Sequence, residues 1–267
     1  MLLPQPHKRR LQRVTLQAHQ VSPVLQINSA IALTYEQRHY LCNVLRLETE
    51  SEFIALDRQG GWWLAQLSRD LNVANIIDKL ENNSELSAQI TLGIAMPKGS
   101  NIESVIRQTT ELGVHQIVPL FSDRTVLKPD NQIGNQKRDR WQRIAEEAAE
   151  LSMRTYVPEI NNPTTLTSWC EHLANVPSPI LKYICVISPN VTHLLTSLQG
   201  SSYSSDFVEN KGQIIIATGC EGGWTTREEE MAIASGFVPV SLGDRVLSAV
   251  TAPVVALSIV SAFIDCR

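Results

Sequence analysis

Apolar and polar positions follow two different rhythms along this chain. From residue 11 to residue 80 the apolar runs are short and rich in β-branched and aromatic residues. They predict strands over Leu11–Gln17, Glu52–Leu56, Trp62–Ser68 and Val73–Ile77, with Gln59-Gly60-Gly61 as the hairpin turn between the second and third. One helical stretch interrupts them: Thr34 and Gln37 form a capping-box pattern, and Tyr40, Leu41, Val44 and Leu45 mark an apolar stripe along Tyr35–Arg46. Glu81–Ala88 is polar and reads as a linker, which divides the chain into residues 1–80, 81–88 and 89–267.

Beyond the linker, strand and helix patterns alternate, as they do in a parallel α/β sheet. Gln89–Ala95 is a strand run that leads into Met96-Pro97-Lys98-Gly99-Ser100. Ser100 and Glu103 suggest a second capping box, before a helix carrying Ile102, Val105, Ile106, Thr109 and Leu112 and closed by Gly113. Strand Gln116–Phe121 completes a β-α-β unit. Lys137–Met153 is the longest helix pattern, Thr164–Leu173 is another, and Ile180–Ile187 is a strand ending at Ser188-Pro189-Asn190. Gly200–Gly212 is polar and Ser-rich, and is expected to be a mobile loop.

The last fifty residues carry the pattern strand, loop, helix twice. Gln213–Ala217 precedes a loop with Gly219, Gly222 and Gly223; Thr225 and Glu228 then cap a helix that Gly236 ends. Val238–Leu242 precedes Ser241-Leu242-Gly243-Asp244-Arg245. Loops leaving neighbouring strand ends form the ligand crevice of an open α/β sheet, whereas either loop alone could be no more than a tight turn. Val246–Ile264 has no charged residue, but Pro253 suits a first helical turn, and a helix starting there is too short to span a bilayer. It is expected to be buried on all sides, and the small residues Ala252, Ala256, Ser258 and Ser261 favour a subunit interface over the domain interior.

Composition narrows the chemistry. Of 267 residues, 43% are hydrophobic and 19% charged, which suits an ordinary globular chain; the formal charge of −4 means any nucleic-acid face must be local. Lys8, Arg9, Arg10, Arg13, Arg38 and Arg46 are candidate phosphate contacts, with a solvated basic arm as the alternative for the first three. Trp62 and Trp63 are adjacent on a strand, so one is expected in the core and the other free to stack on a base. Cys42, Cys170, Cys185, Cys220 and Cys266 form no CxxC pair, which argues against disulfides and a zinc site and for a reducing, cytoplasmic setting. MLLPQPHKRR has no apolar stretch long enough for a signal peptide. Cys220 lies in a proposed ligand loop; with no His nearby in sequence it reads as a small buried residue rather than a nucleophile.

Several stretches together carry a resemblance. Gly219-Cys220-Glu221-Gly222-Gly223-Trp224 and Leu242-Gly243-Asp244-Arg245-Val246-Leu247-Ser248-Ala249-Val250-Thr251-Ala252 are similar to GPEGGF and LGxRILRxETA of the RsmE family of 16S ribosomal RNA methyltransferases, in the SPOUT class. Pro97-Lys98-Gly99, Thr110–Val114, Ile117–Val126, Ala149–Ile160 and His39–Arg46 resemble further family motifs. The departures are Cys220 for proline, Ser248 for arginine, Val250 for glutamate, Gln108 for lysine and Leu151 for glutamine.

The resemblance implies a SPOUT-type parallel sheet with a C-terminal trefoil knot, a small N-terminal PUA-like β-barrel that binds RNA, and a homodimer through the last helix, with no metal and no membrane contact. It implies S-adenosylmethionine as methyl donor and N3 of a uridine in the 16S rRNA of the small ribosomal subunit as acceptor. Ile187, Thr218, Gly219, Glu221, Gly222, Gly223, Ser241, Leu242, Gly243, Val246, Leu247, Ser248 and Ala252 would hold the cofactor. Arg154 and Arg245 would orient uridine and phosphate, Glu221 would brace the loops or accept a proton, and Arg9, Arg10, Arg13, Arg46, Lys98 and Arg124 would contact RNA. Two readings stay beside this one: a SPOUT enzyme with another target nucleotide or a ribose 2′-oxygen, and an RNA- or ribosome-binding protein without turnover.

Overall fold

Side chains alternate across a strand, so an unbroken apolar run such as Gln213–Thr218 can be stable only if both faces of its sheet are covered. In the computed structural model Ile214 and Ile216 join one buried cluster and Ile215 and Ala217 another. The structure describes residues 11–21, 24–58, 60–81, 84–127, 135–174, 176, 179–210 and 212–266. Its contacts divide the chain into two units, Met1–Glu85 with Ala149–Val157, and Leu86–Ala148 with Pro158–Arg267.

In the second unit, β6 (Gln89–Ala95), β7 (Gln116–Phe121), β8 (Glu159–Ile160), β10 (Ile180–Cys185), β11 (Gln213–Thr218) and β12 (Val238–Val240) lie in the order β12-β10-β11-β6-β7-β8, and β9 (Thr164–Thr165) pairs with β7. Every pairing is parallel. One face carries residues of α2 (Asn101–Glu111), α3 (Asn135–Leu151), α5 (Leu194–Gln199), α6 (Ser205–Glu209) and α8 (Thr251–Asp265). The other carries α4 (Leu166–Ala174) and α7 (Thr226–Ala234). Lys182 on β10 donates to Leu173 O at 2.9 Å and Ser235 O at 3.2 Å, placing a cation at the carboxyl ends of both those helices.

Three expectations for this unit are corrected. Ser100 precedes α2 with ψ 8°, not the extended backbone of a capping residue, and makes no side-chain cap, while the Glu103 carboxylate meets Arg140 at 2.8 Å. Gly200–Gly212 is not a structureless loop: Ser204 caps α6, and Phe207, 3% exposed, packs against Tyr203. The final helix starts two residues before Pro253 and is not buried all round. Pro253, Ala256, Leu257, Val260, Phe263 and Ile264 are buried, whereas Ser258 and Ala262 are exposed. Of the four small residues, Ala256 sits in the core and Ser261 donates to Leu112 O at 2.6 Å. Among the described residues no helix is long and apolar enough to cross a membrane.

The first unit holds a sheet built from β1 (Arg13–Thr15), β2 (Ala30–Ala32), β3 (Glu52–Leu56), β4 (Trp62–Leu67) and β5 (Val73–Leu80), in the order β1-β3-β4-β5-β2. β1 runs parallel to β3 and the other pairs are antiparallel. Both tryptophans are buried, which corrects the expectation of one free to stack. Trp63 lies in the main cluster with its indole N–H on Asp57, and Trp62 packs on Ile54 and Leu56, beneath Arg13 at 5.5 Å. The predicted helix over Tyr35–Arg46 is α1 (Tyr35–Arg38) followed by a π-helical turn, His39–Val44. The wider turn shifts the apolar stripe: Leu41 is buried, but Tyr40 and Val44 are exposed.

Ala149–Val157, expected in the second domain, groups with the first unit for an electrostatic reason. Glu85 accepts hydrogen bonds from Arg154 Nη2 at 2.6 Å, Thr155 N at 2.8 Å and Tyr156 N at 3.0 Å, and Trp62 Nε1 donates to Arg154 O.

Gly93 on β6 tests how tightly the α4 face is packed. A Cβ there would stand 2.2 Å from the Trp169 ring, so Gly93→Ala is expected to cost about 1–3 kcal/mol. The shift in urea unfolding midpoint measures it, and pairing the change with Trp169→Leu should recover part of the loss.

Candidate functional site

The order β12-β10-β11 places three strand ends side by side, and each leads into a segment singled out by sequence. Val186 N donates to Val240 O, Ser241 N to Thr192 O and Leu194 N to Ser241 O, so the segments after β10 and β12 are bonded to each other. Ile187, in the first of them, is 73% exposed.

Thr218 ends β11 fully buried, and its Oγ1 has no hydrogen-bond partner among the described residues. The loop that follows is closed on itself by Gly223 N donating to Cys220 O at 2.9 Å. Gly219 lets the loop fold close on itself, since a Cβ there would stand 3.2 Å from Gly223 Cα, tighter than an ordinary contact. Gly223 has φ +68° and no atom within 4 Å of where a Cβ would point, so its backbone presents a bare surface. Glu221 reaches across to the segment after β6, where its Oε1 accepts from Lys98 N at 3.0 Å.

Arg124, in the segment after β7, clamps the same loop. Its Nη1 donates to Gly222 O at 2.6 Å and Trp224 O at 2.9 Å. Sequence had assigned Arg124 to RNA; the structure shows this nitrogen spent on loop carbonyls. Glu228, 2% exposed, accepts from Asp123 N at 2.8 Å and Thr225 N at 2.9 Å, so the predicted capping box also ties α7 to the segment after β7. Asp123 pairs with Arg227 at 2.8 Å, and that hydrogen bond and charge raise the Arg227 pKa further. Asp123 and the long reach of Glu228 carry no signal in the sequence beyond the Thr225–Glu228 spacing. Cys220 is buried, with Sγ 3.9 Å from Ser122 Oγ, and fills space in the loop. Burial pushes the Cys185 thiol up to about 12, so it stays protonated at neutral pH.

In the segment after β12, Ser241 Oγ accepts from Gly243 N at 3.0 Å, and Gly243 has φ +113°, with only the Arg245 guanidinium near where a Cβ would stand. Leu242 packs partly into the core, Leu247 is partly buried, and Arg245 and Val246 face solvent. Ser248 acts on its own neighbourhood, where its Oγ accepts from Thr251 N at 3.1 Å and its O accepts from Ala252 N at 2.9 Å, which caps the start of α8.

The remaining residues fall elsewhere. Lys98 is exposed beside Glu221, and Arg46 is exposed with φ +58°. Arg13 lies over Trp62, where burial lowers its pKa against the pull of Glu150. Lys8, Arg9, Arg10 and Gln59 lie outside the described residues. Arg154 belongs to the first unit, is 3% exposed and faces Glu85, so it is held by a carboxylate and not presented to solvent. A cavity of about 380 Å³ lies away from the glycine loops, between Arg138, Asn161, Asn162, Ser168 and His172.

An α/β unit with backbone-lined loops at adjacent strand ends matches the model of the RNA methyltransferase domain over residues 84–261, and the chain belongs to that family. Residues 33–70 match the RNA methyltransferase PUA domain. Among curated relatives, ribosomal RNA small subunit methyltransferase E of Synechocystis is 42% identical over 92% of this chain and 77% of its own length. That of Bacillus subtilis is 29% identical over 86% of this chain and 89% of its own. Among solved structures, the small subunit methyltransferase E of Neisseria gonorrhoeae bound to S-adenosyl methionine shares 27% identity, with a TM-score of 0.78, and covers 94% of this chain and 97% of its own. A Legionella pneumophila methyltransferase in complex with the same cofactor shares 26% identity, with a TM-score of 0.78, over 95% and 98%.

Ser248→Ala removes the hydroxyl that caps α8 and is expected to cost about 1 kcal/mol. Ser248→Thr should keep most of that stability. Thermal unfolding of the two variants side by side measures the difference.

Proposed function

We propose that this chain is an S-adenosylmethionine-dependent methyltransferase that acts on N3 of a uridine in the 16S rRNA of the small ribosomal subunit. The observation that carries the reading is the pair of glycine loops at neighbouring strand ends, with bare backbone at Gly223 and a positive φ at Gly243, in a chain of this family. The orphaned Thr218 hydroxyl at the root of the first loop fits a ligand-binding crevice as well.

Thr218, Gly219, Gly222, Gly223, Ser241, Leu242, Gly243 and Leu247 would hold the cofactor, with Ile187, Val246, Ser248 and Ala252 at the rim. The cofactor supplies a methyl group on a sulfonium, which is itself an electrophile. What remains for the protein is to place a nucleophilic nitrogen in line with that methyl and to manage the proton it carries. Arg245, exposed at the second loop, stabilises the developing charge on the uridine oxygens. Glu221 spends one oxygen on Lys98 N; the other is available to accept the N3 proton directly or through water. Arg154, bound to Glu85, enters as a positioning residue: the pair holds the segment from Met153 to Val157 in place.

The deep trefoil knot, the homodimer through α8 and the cytoplasmic setting belong to the same proposal. The half-buried Val254, Val255 and Ile259 beside exposed Ser258 and Ala262 support a second copy on α8.

Incubating the protein with labelled S-adenosylmethionine and small subunits that lack the modification should label 16S rRNA, and mass spectrometry of the nucleosides should find 3-methyluridine. Label at another atom, or none, would overturn the assignment. Arg245→Ala should lower single-turnover methylation by about 10–1,000-fold while cofactor affinity holds. If Arg154 positions through Glu85, Glu85→Gln and Arg154→Lys should lower the rate together. A large loss in Arg154→Lys alone would show a direct contact instead.

A further inference from the structure

The short helix α1 and the π-helical turn after it bury the wrong residues for a helix stabilised only by its core. The side chains from Tyr35 to Val44 that are buried are Gln37 and Leu41. Tyr35 is 75% exposed, Val44 is 58% exposed, and Arg38, His39 and Tyr40 are exposed as well. An amphipathic helix normally turns its aromatic side chains inward and its glutamine outward. Here Gln37 is fixed by three polar partners: its Nε2 donates to Thr15 O at 2.9 Å and to Gln20 Oε1 at 3.0 Å, and its Oε1 accepts from Thr34 N at 3.0 Å. The buried amide sets which way the helix faces, and the rings are left outside on a rigid support.

The exposed groups are also organised. The Tyr35 and His39 rings stack with centroids 6.2 Å apart and 14° between planes. Arg38 lies 5.9 Å from the Tyr35 centroid, and its Nη1 is tethered to Asn72 Oδ1 at 2.8 Å, so the guanidinium is held beside the ring. Arg46 closes the turn in a left-handed conformation, also exposed. Glu36 on the same helix and Asp70, whose Oδ1 accepts from Asn72 N at 3.1 Å, leave the ridge mixed in charge rather than uniformly basic.

We infer that Tyr35 and His39, with Arg38 held beside them, form a stacking platform for unpaired bases of the RNA substrate. The inference rests on the reading of this chain as an enzyme acting on RNA. Flat rings offered to solvent beside tethered cations are what single-stranded nucleic acid recognises: a base stacks on the ring while a guanidinium meets the phosphate. The platform takes the place of the tryptophan that sequence had offered for this purpose, since Trp62 and Trp63 are both buried. Duplex RNA, whose bases are already stacked, gains nothing from it.

The test uses the full-length protein, a fluorescein-labelled single-stranded RNA of mixed sequence, the same RNA annealed to its complement, and small ribosomal subunits that lack the modification. Tyr35→Ala should weaken binding of the single strand by about 5- to 100-fold and leave duplex binding unchanged. Tyr35→Phe, which keeps the ring, should stay within about twofold of the unaltered protein. Tyr35→Trp should show fluorescence quenched by the single strand. On subunits, Tyr35→Ala should raise KM with little change in kcat. Unaltered single-strand binding in Tyr35→Ala overturns the inference. So does a loss confined to intact subunits, which would mean that the ridge meets a ribosomal protein, or a change in oligomeric state, which would mean a second copy. Because RNA binding is read without methyl transfer, failure of the platform and failure of the methyltransferase reading are separate results.

Discussion

Burial of the parallel sheet on both faces is the constraint from which the site follows. With Ile214 and Ile216 committed to one core and Ile215 and Ala217 to the other, strand β11 has no face left for polar chemistry. Hydrogen-bonding groups that are to meet a ligand must stand where the strands stop, and the order β12-β10-β11 sets three such stops in a row. The helices on the two faces thus act on the chemistry indirectly, by forcing it to the sheet's carboxyl edge.

Loops at that edge are braced by charge as well as by the packing of Cys220, Trp224 and Leu242. Arg124 gathers two carbonyls of the glycine loop, Glu221 holds Lys98 N, and Glu228 holds Asp123 N. These are charge-assisted bonds, roughly twice as strong as neutral ones, and they link the segments after β6, β7 and β11. Such bracing leaves the backbone at Gly223 uncovered. A charged residue in a family motif can therefore act by shaping a loop.

Much of the α/β unit was legible in the sequence because its strands are continuous apolar runs bounded by glycine loops. Gln89–Ala95 and Gln116–Phe121 have the bounds expected, and the Thr225–Glu228 box is formed. Elements decided by distant partners were not legible. β2 is three residues that become a strand by pairing with β5, and α6 depends on Phe207 finding Tyr203. Trp62 is buried because Arg13 and the carbonyl of Arg154 cover its outer side, and neither is near it in sequence. At the site, the glycine loops after two strands could be read from the sequence pattern, whereas the commitment of Arg154 to Glu85 spans sixty-nine positions that no local pattern connects.

Three of the five departures from the family pattern, at positions 108, 248 and 250, remove a charge, and those at 220 and 248 are each met locally. A proline at position 220 would have stiffened the turn; Cys220 instead leaves an N–H in place, while Gly223 N closes the loop on its carbonyl and its sulfur packs beside Ser122. Serine in place of arginine at 248 gives up a cation but caps α8 with its hydroxyl. The exchange moves the positive charge of this segment onto Arg245 alone, since Val246–Ile264 carries none. Salt screens every such charge over the same distance, and the slope against salt grows with the number of cations engaged, so a segment that offers Arg245 alone should depend less on ionic strength than one where two arginines act together.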